Sequence, residues 1–442
     1  MDILEYLEKA RLTRFHYTIL VVSFAIYGLT AMNVMMISVA LPRIKVEWNL
    51  DPITSGNMLS AGYIGMFIGA ILSGRLSDII GRKRTLILML VVESIFTALN
   101  AIAVDVVSLS LLRFIAGVGL GGTLPIPGVY VSEYPPARYR GRFVGIVETA
   151  WVWGVLLGIV LGYIIIPQYG WRPVFLLALL PLLLIPIVST YLPESIRHLL
   201  KKGRTEDALN LLKKHGLIPD DVKTNTTSRI DWRYVRFGEA LATILGRKYL
   251  KRTIVLWTLW AALVYTYHGI FLWLPTVYYE KFQYETVKTL WWVLVVTSAQ
   301  IPGYYSAALL LDKAGRKGIL VPYLTIAGIA CFLLAVAGNI NSILALSLVI
   351  SFFNLGAWSA LYAYTPELYP TEIRGTASGI AASIGRLAGI LAPSITGFLM
   401  SIAKGEVFWA YMVFGAVHLL AAFITMALGS ETRGKSLESL EM

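Results

Sequence analysis

Apolar stretches of about twenty residues or more recur twelve times along the chain, and that is the length a helix needs to cross the hydrocarbon core of a bilayer. Spans are expected near 17–41, 54–73, 85–104, 107–131, 142–166 and 173–192, then 253–278, 288–311, 318–338, 341–364, 376–401 and 407–428. With 57% hydrophobic and 14% charged residues, against roughly 25% charged in soluble domains, an ordinary soluble protein is excluded. The expected fold class is an all-α membrane protein of twelve transmembrane helices.

The formal net charge of +12 would suggest nucleic acid in a soluble protein. Here the bases sit in short clusters between spans: Lys9–Arg14, Arg82–Arg84, Arg138–Arg142, the 193–252 stretch, Lys313–Lys317, Arg374 and Arg433–Lys435. With twelve spans, all of these fall on one side. The positive-inside bias makes that side cytoplasmic, with both termini on it and a cell-membrane location. Nucleic acid is not an expected partner; the lipid bilayer is. The N-terminus lacks a small-residue cleavage site and is expected to remain. Cys331, the single cysteine, lies in an apolar span and cannot form an intrachain disulfide.

An internal repeat fixes the architecture. Asp78, Gly81, Arg82 and Lys83 are matched 234 positions later by Asp312, Gly315, Arg316 and Lys317. At the same offset Glu133, Pro136, Arg140, Gly141 and Gly145 are matched by Glu367, Pro370, Arg374, Gly375 and Gly379. A repeat of this length with six spans in each copy means two parallel, pseudo-symmetric six-helix bundles. The expected division is 1–192, a linker 193–252 and 253–442. In the linker, ESIRHLLKKGRTEDALNLLKKHG looks like one amphipathic helix, and the Asn225-Thr226-Thr227 sequon is a chance match on the cytoplasmic side.

The string GRLSDIIGRKRT at Gly74–Thr85, between the second and third spans, resembles the signature loop of the major facilitator superfamily, and LLLDKAGRKG is its second copy. RFIAGVGLGG at Arg113–Gly122 resembles that superfamily's fourth-helix motif, and PESIR, PELYPTEIRG and SETRGKSLE resemble markers of sugar porters. LTRFHY, YHGIFLWLP and SIGRLAGILAP are most similar to a subgroup of proton-coupled aromatic-acid symporters, niacin transporters and animal organic-ion transporters. The resemblance implies the major facilitator fold and solute transport by alternating access. Hexose porters carry a glutamine pair in the seventh helix and Gly-Pro…Trp in the tenth; ALVYTYHG and NLGAWSALY stand here instead. The antiporter pattern begun by Gly145, Gly154 and Gly158 fails at Ile159, so drug/proton antiport is disfavoured. Gly154, Gly158 and Gly162 read first as helix packing.

The repeated loops place acids as well as bases, which charge bias alone does not require. Asp78, Arg82, Glu133, Arg140 and Glu194, with Asp312, Arg316, Glu367, Arg374 and Glu431, are expected to form a cytoplasmic salt-bridge network that latches the halves together; simple orientation of the chain is the alternative. Inside the spans charge is costly, so each charged residue needs a cavity or a partner. Glu93, Glu148, His268 and Arg113 are the proton-coupling candidates; for the two acids, pairing with an arginine is the alternative. The resembling symporters carry a first-helix pattern like Asp-Ala-Met-Asp, which reads Thr30-Ala31-Met32-Asn33 here; Asn33 keeps only the capacity to hydrogen-bond substrate.

Arg386 lies mid-span, and its register-mate in the first half is the uncharged Val152. It is either paired with a buried acid, or free to bind a carboxylate with its planar fork. The eleventh-helix arginine of the resembling anion transporters favours the second reading, with Tyr267, His268, Asn33, Trp151 and Tyr362 as further substrate contacts. The expected function is secondary transport of a small organic anion by a monomer, with protons as the coupling ion. Uniport, a neutral sugar-like substrate, and a non-transporting sensor are the alternatives. No nucleophile–base cluster, metal-ligand spacing or phosphate loop is present, so neither an enzyme nor a cofactor or metal is expected.

Overall fold

The computed structural model of the protein describes Leu7 and residues 11–219, 237–282, 286–403 and 406–433. Among these, twelve helices are long and apolar enough to cross a membrane: α1 (Arg14–Trp48), α2 (Pro52–Ile80), α3 (Arg82–Ile102), α4 (Val106–Glu133), α5 (Arg138–Tyr169), α6 (Arg172–Tyr191), α7 (Leu250–Glu280), α8 (Val287–Ala314), α9 (Arg316–Ala335), α10 (Ile340–Glu367), α11 (Glu372–Ile402) and α12 (Phe408–Leu428). Each expected span coincides with one of them, overrunning it by at most about three residues at an end. Short polar residues set several starts: Asp51, before Pro52, accepts the Thr54 N–H at 2.8 Å; Asp105 accepts that of Ser108 at 2.7 Å, and Asn339 that of Ser342 at 2.8 Å. Large apolar side chains such as Leu183, Leu309 and Phe423 remain exposed on the outside, where lipid would cover them.

The sequence repeat is a structural repeat. In the first half α1 packs on α5, α2 on α4 and α3 on α6; in the second half α7 packs on α11, α8 on α10 and α9 on α12. The halves meet through α2 against α11, its mate α8 against α5, and α1 against α7. Close approach of α5 to α1 depends on glycine. A Cβ on Gly154 would run into the Gly28 carbonyl oxygen, Gly158 faces Met32, and Gly162 faces Val39. The four-residue glycine spacing is therefore a packing surface.

The expected single linker helix is two: Ile196–Lys201 and Thr205–Lys214. Gly203 takes a left-handed φ of +72° between them, which stops the first helix and turns the second. Leu199, Leu209 and Leu212 bury against first-half residues including Phe15 and Tyr134. A further short helix, Phe237–Leu245, precedes α7. The sequon and most of the charged N-terminal tail lie outside the described residues, as do Lys435 and the rest of the SETRGKSLE motif after Arg433.

Candidate substrate cavity and its gates

A cavity of about 250 Å³ lies between the halves. That is below the usual range for drug-sized ligands, so its occupant is small. The first half lines it with Tyr27, Tyr63, Glu148 and Trp151 among others, the second with Trp260, Tyr267, His268, Tyr304, Trp358, Tyr362 and Arg386. Its lining extends to Gly128, Ala382 and Tyr362, within about three turns of the helix ends that carry the repeated loops. The other end is shut. Trp151 donates its indole N–H to the Tyr267 hydroxyl across the halves at 2.8 Å, forming a floor.

Beyond that floor Ser38 donates to the Phe271 carbonyl at 3.1 Å and Ser60 to the Ile390 carbonyl at 2.7 Å. At the outer surface Lys45 Nζ meets Glu280 Oε1 at 2.5 Å, and the ammonium also sits 5.8 Å from the centre of the Trp273 ring. Neither Lys45 nor Glu280 stood out in the sequence, because each lies at a span end, where charge needs no explanation.

Arg386 projects from α11 into the cavity and makes no ion pair among the described residues. Tyr362 and Tyr27 lie close enough to act on it electrostatically. The pairing alternative for this arginine is therefore not realised. Glu148 on α5 also lines the cavity; it accepts a hydrogen bond from Tyr27 at 2.7 Å, with the Tyr362 and Tyr304 hydroxyls beside it. His268 turns Nδ1 toward the Val264 carbonyl at 2.9 Å. A carbonyl only accepts, so Nδ1 carries the hydrogen and neutral His268 presents Nε2 as an acceptor. The Tyr63 ring lies edge-on to it at 4.8 Å.

Three expected site residues lie off the cavity. Asn33 is fully buried in the first half, next to Glu93, and does not line the cavity. Glu93 accepts from the Thr30 hydroxyl at 3.0 Å, with Thr123 also beside it. It has no ion pair among the described residues, so hydroxyls stand where the alternative reading put an arginine. Arg113, 1% exposed, points one Nη toward the Val34 carbonyl at 3.4 Å and lies against Gly62 and Tyr63.

The repeated loops form two matching clusters. Arg82 pairs with Glu133, which also accepts from the Ser195 hydroxyl at 2.8 Å; Arg316 pairs with Glu367 at 2.6 Å, which accepts from Thr432, also at 2.6 Å. Glu194 accepts the Arg82 backbone N–H at 2.7 Å, and Glu431 those of Arg316 and Lys317 at 2.9 and 3.0 Å. Each carboxylate thus caps the first turn of α3 or α9. Asp78 pairs with Lys201 at 3.2 Å, while Asp312 lies 4.0 Å from Arg316. Gly81 and Gly315 take φ of +95° and +83°, and a Cβ at either would strike the capping carboxylate.

Arg374 donates to the Tyr369 carbonyl at 3.2 Å. Arg140 lies in the first turn of α5. The ion pairs of Arg82 and Arg316 each stay within their own half, so in this conformation the expected network is two clusters. Serine and threonine were overlooked in reading the motifs; their recurrence after Glu194 and Glu431 was the available signal. Among the described residues no group of three His, Cys, Asp or Glu side chains could hold a metal ion.

Comparison with known proteins agrees with this architecture. The family described as "Sugar (and other) transporter" matches residues 14–442. A niacin transporter of Acinetobacter baylyi is 36% identical over the full length of both chains, and a putative niacin/nicotinamide transporter of Bacillus subtilis is 36% identical over 92% of this chain and 94% of its own. A benzoate transport protein of Acinetobacter baylyi is 27% identical over 91% of this chain and 87% of its own. Among solved structures, the inward-open xylose transporter XylE of E. coli superposes with a TM-score of 0.76 at 21% identity, over 97% of this chain and 99% of that one. The chain therefore belongs to the sugar (and other) transporter family of the major facilitator superfamily, whose members are transporters and not enzymes, and is a multi-pass membrane transporter of a small organic solute.

Proposed function

We propose that the chain carries a small organic carboxylate, preferably one on an aromatic ring, by proton symport across the cell membrane. The observation that carries the reading is Arg386, a guanidinium facing a small aromatic-lined cavity without an acid of its own. An unpaired charge at this depth is costly, and a carboxylate ligand offsets that cost through two charge-assisted hydrogen bonds. Tyr27, Trp151, Tyr267 and Tyr362 supply ring faces for an aromatic substrate. The names of the relatives, niacin and benzoate, are both ring carboxylates and support the same class.

The repeated loops lie on the cytoplasmic side with both termini, so the cavity as described is open inward. The chain works as a monomer of two bundles, 1–192 and 253–442, joined by the 193–252 linker, and the loop clusters engage each other across the halves when that side closes. Protonatable Glu148 in the same cavity supports symport over uniport. The test is nicotinate and benzoate binding to the purified full chain by thermal shift and calorimetry, with Arg386→Gln beside the wild type. A loss of one to two charge-assisted hydrogen bonds predicts a Kd raised by roughly tenfold to a hundredfold with the unliganded melting temperature retained. Equally tight binding in the variant, or binding of neutral sugars only, would refute the carboxylate reading.

A further inference from the structure

The cavity contains one acid and one base that do not pair with each other, and they belong to different halves. Glu148 stands on α5; Arg386 stands on α11. The groups facing Glu148 come from three other helices, Tyr27 on α1, Tyr304 on α8 and Tyr362 on α10, and Arg386 on α11 lines the same cavity. Tyr362 lies beside both Glu148 and Tyr27, and the same two tyrosines act electrostatically on Arg386, so the acid of the first half and the base of the second share these neighbours. His268 lines the same cavity from α7 and, with its hydrogen on Nδ1 toward the Val264 carbonyl, adds no charge in its neutral form.

We propose that Glu148 is the proton-binding site of this carrier, taking up one proton for each carboxylate that enters. The charge count requires it. With Glu148 ionised and Arg386 charged the empty cavity is neutral, and an entering carboxylate on Arg386 adds one uncompensated negative charge in surroundings of low dielectric. A proton from water at the open side, added to a Glu148 carboxylate oxygen, restores neutrality. No bond of the substrate changes, and the proton leaves to water when the carboxylate leaves.

Geometry separates Glu148 from the other buried acid. The partners of Glu93 are Thr30, Thr123 and Asn33, all on the first half, so a rocking motion between halves leaves its surroundings intact. Those of Glu148 straddle the halves and are remade as the cavity switches sides, as a coupling site requires. Reciprocity follows: substrate raises the affinity for the proton by the factor by which the proton raises the affinity for substrate.

This assignment rests on the carboxylate reading, and two variants distinguish them. Above the titration of Glu148, the wild-type Kd for nicotinate is expected to rise about tenfold per pH unit in the limit of full coupling. In Glu148→Gln, a permanent neutral analogue of the protonated acid, binding is expected to persist with a Kd flat from mildly acid to mildly alkaline pH. In proteoliposomes of the full chain, an imposed pH gradient is expected to concentrate labelled nicotinate in the wild type and in Glu148→Asp, but not in Glu148→Gln. A flat wild-type Kd overturns the proposal without any variant, and so does gradient-driven accumulation that survives Glu148→Gln. If Arg386→Gln binds nicotinate like the wild type while Glu148→Gln loses accumulation, the assignment of Arg386 as the carboxylate's counter-ion falls and the proton site stands.

Discussion

Replacing Glu280 with glutamine should open the side of the protein that the structure finds closed. Lys45 and Glu280 join α1 to α7, and therefore one half to the other, at 2.5 Å. Lys45 is 8% exposed and Glu280 37%. Breaking a buried pair by removing one partner costs about 3–5 kcal/mol, whereas an exposed pair contributes 0–1. With water reaching the carboxylate, the value here belongs between, at about 1–2 kcal/mol, with the lysine left beside only the Trp273 ring. A change of that size alters an equilibrium by roughly five- to thirtyfold, in favour of the conformation in which the pair is already apart. Thr297 lines a small void behind the Trp151–Tyr267 floor, and the single native cysteine, Cys331, is buried. Thr297→Cys is therefore a reporter with little background: a membrane-impermeant thiol reagent added to the closed side should label it several times faster when Glu280→Gln is present. Unchanged labelling in both Glu280→Gln and Lys45→Met would show that the ion pair does not hold this side shut.

Two further outcomes concern stability. Gly154→Ala forces a methyl group into the Gly28 carbonyl and should destabilise the first half by about 1–3 kcal/mol, seen as a lower melting temperature. Gly141→Ala, with open space around the new carbon, should be neutral or slightly stabilising; equal losses would refute close α1–α5 packing as the cause. Glu431 is partly buried, which raises its pKa. The backbone N–H groups of Arg433, Arg316, Gly318 and Thr432 outweigh that, and the net shift is downward. A depressed folded pKa means that the stabilisation is fully present above the ordinary carboxylate value and is lost as pH falls through the folded one. The melting-temperature difference between wild type and Glu431→Gln should thus be constant near neutrality and shrink on acidification; a difference that grows in acid would refute the capping role.

The helices and the repeat were legible because both rest on one-dimensional signals: length of apolar run, and identity at a fixed offset. Arg386 was legible for a similar reason, since a charge in the middle of an apolar span demands either an acid or a ligand. What the sequence could not convey was which partner each group meets. An arginine is the alternative partner for Glu148 in the sequence, and the residue it meets is Tyr27, 121 positions away on another helix. Asn33 was grouped with the substrate contacts by its position on the first helix, but the rotation of α1 turns it toward Glu93. Gly203 was read through as helix, although a glycine in a polar stretch is a common stop signal. Lys45 and Glu280 carried no signal, because only the docking of the two halves brings them together.

The repeat also shows where the two halves were required to agree and where they were not. At the loops, the acids, bases and glycines match in one register, and the structure builds the same capped cluster twice. Inside the cavity the same register pairs Glu148 with Ala382, Val152 with Arg386, Gly128 with Tyr362 and Leu124 with Trp358, and all eight residues line it. At each of these positions one half supplies the charged or large aromatic group and the other leaves room. A strictly two-fold cavity would set each acid against its own copy and each base likewise, which like-charge repulsion penalises, and would present no asymmetric seat for a molecule with one charged end. Splitting the acid and the base between halves instead places the charge of each under the control of the motion between them. The scaffold repeats in its helices and loops, and the cavity departs from the repeat, which leaves an asymmetric seat between two similar halves.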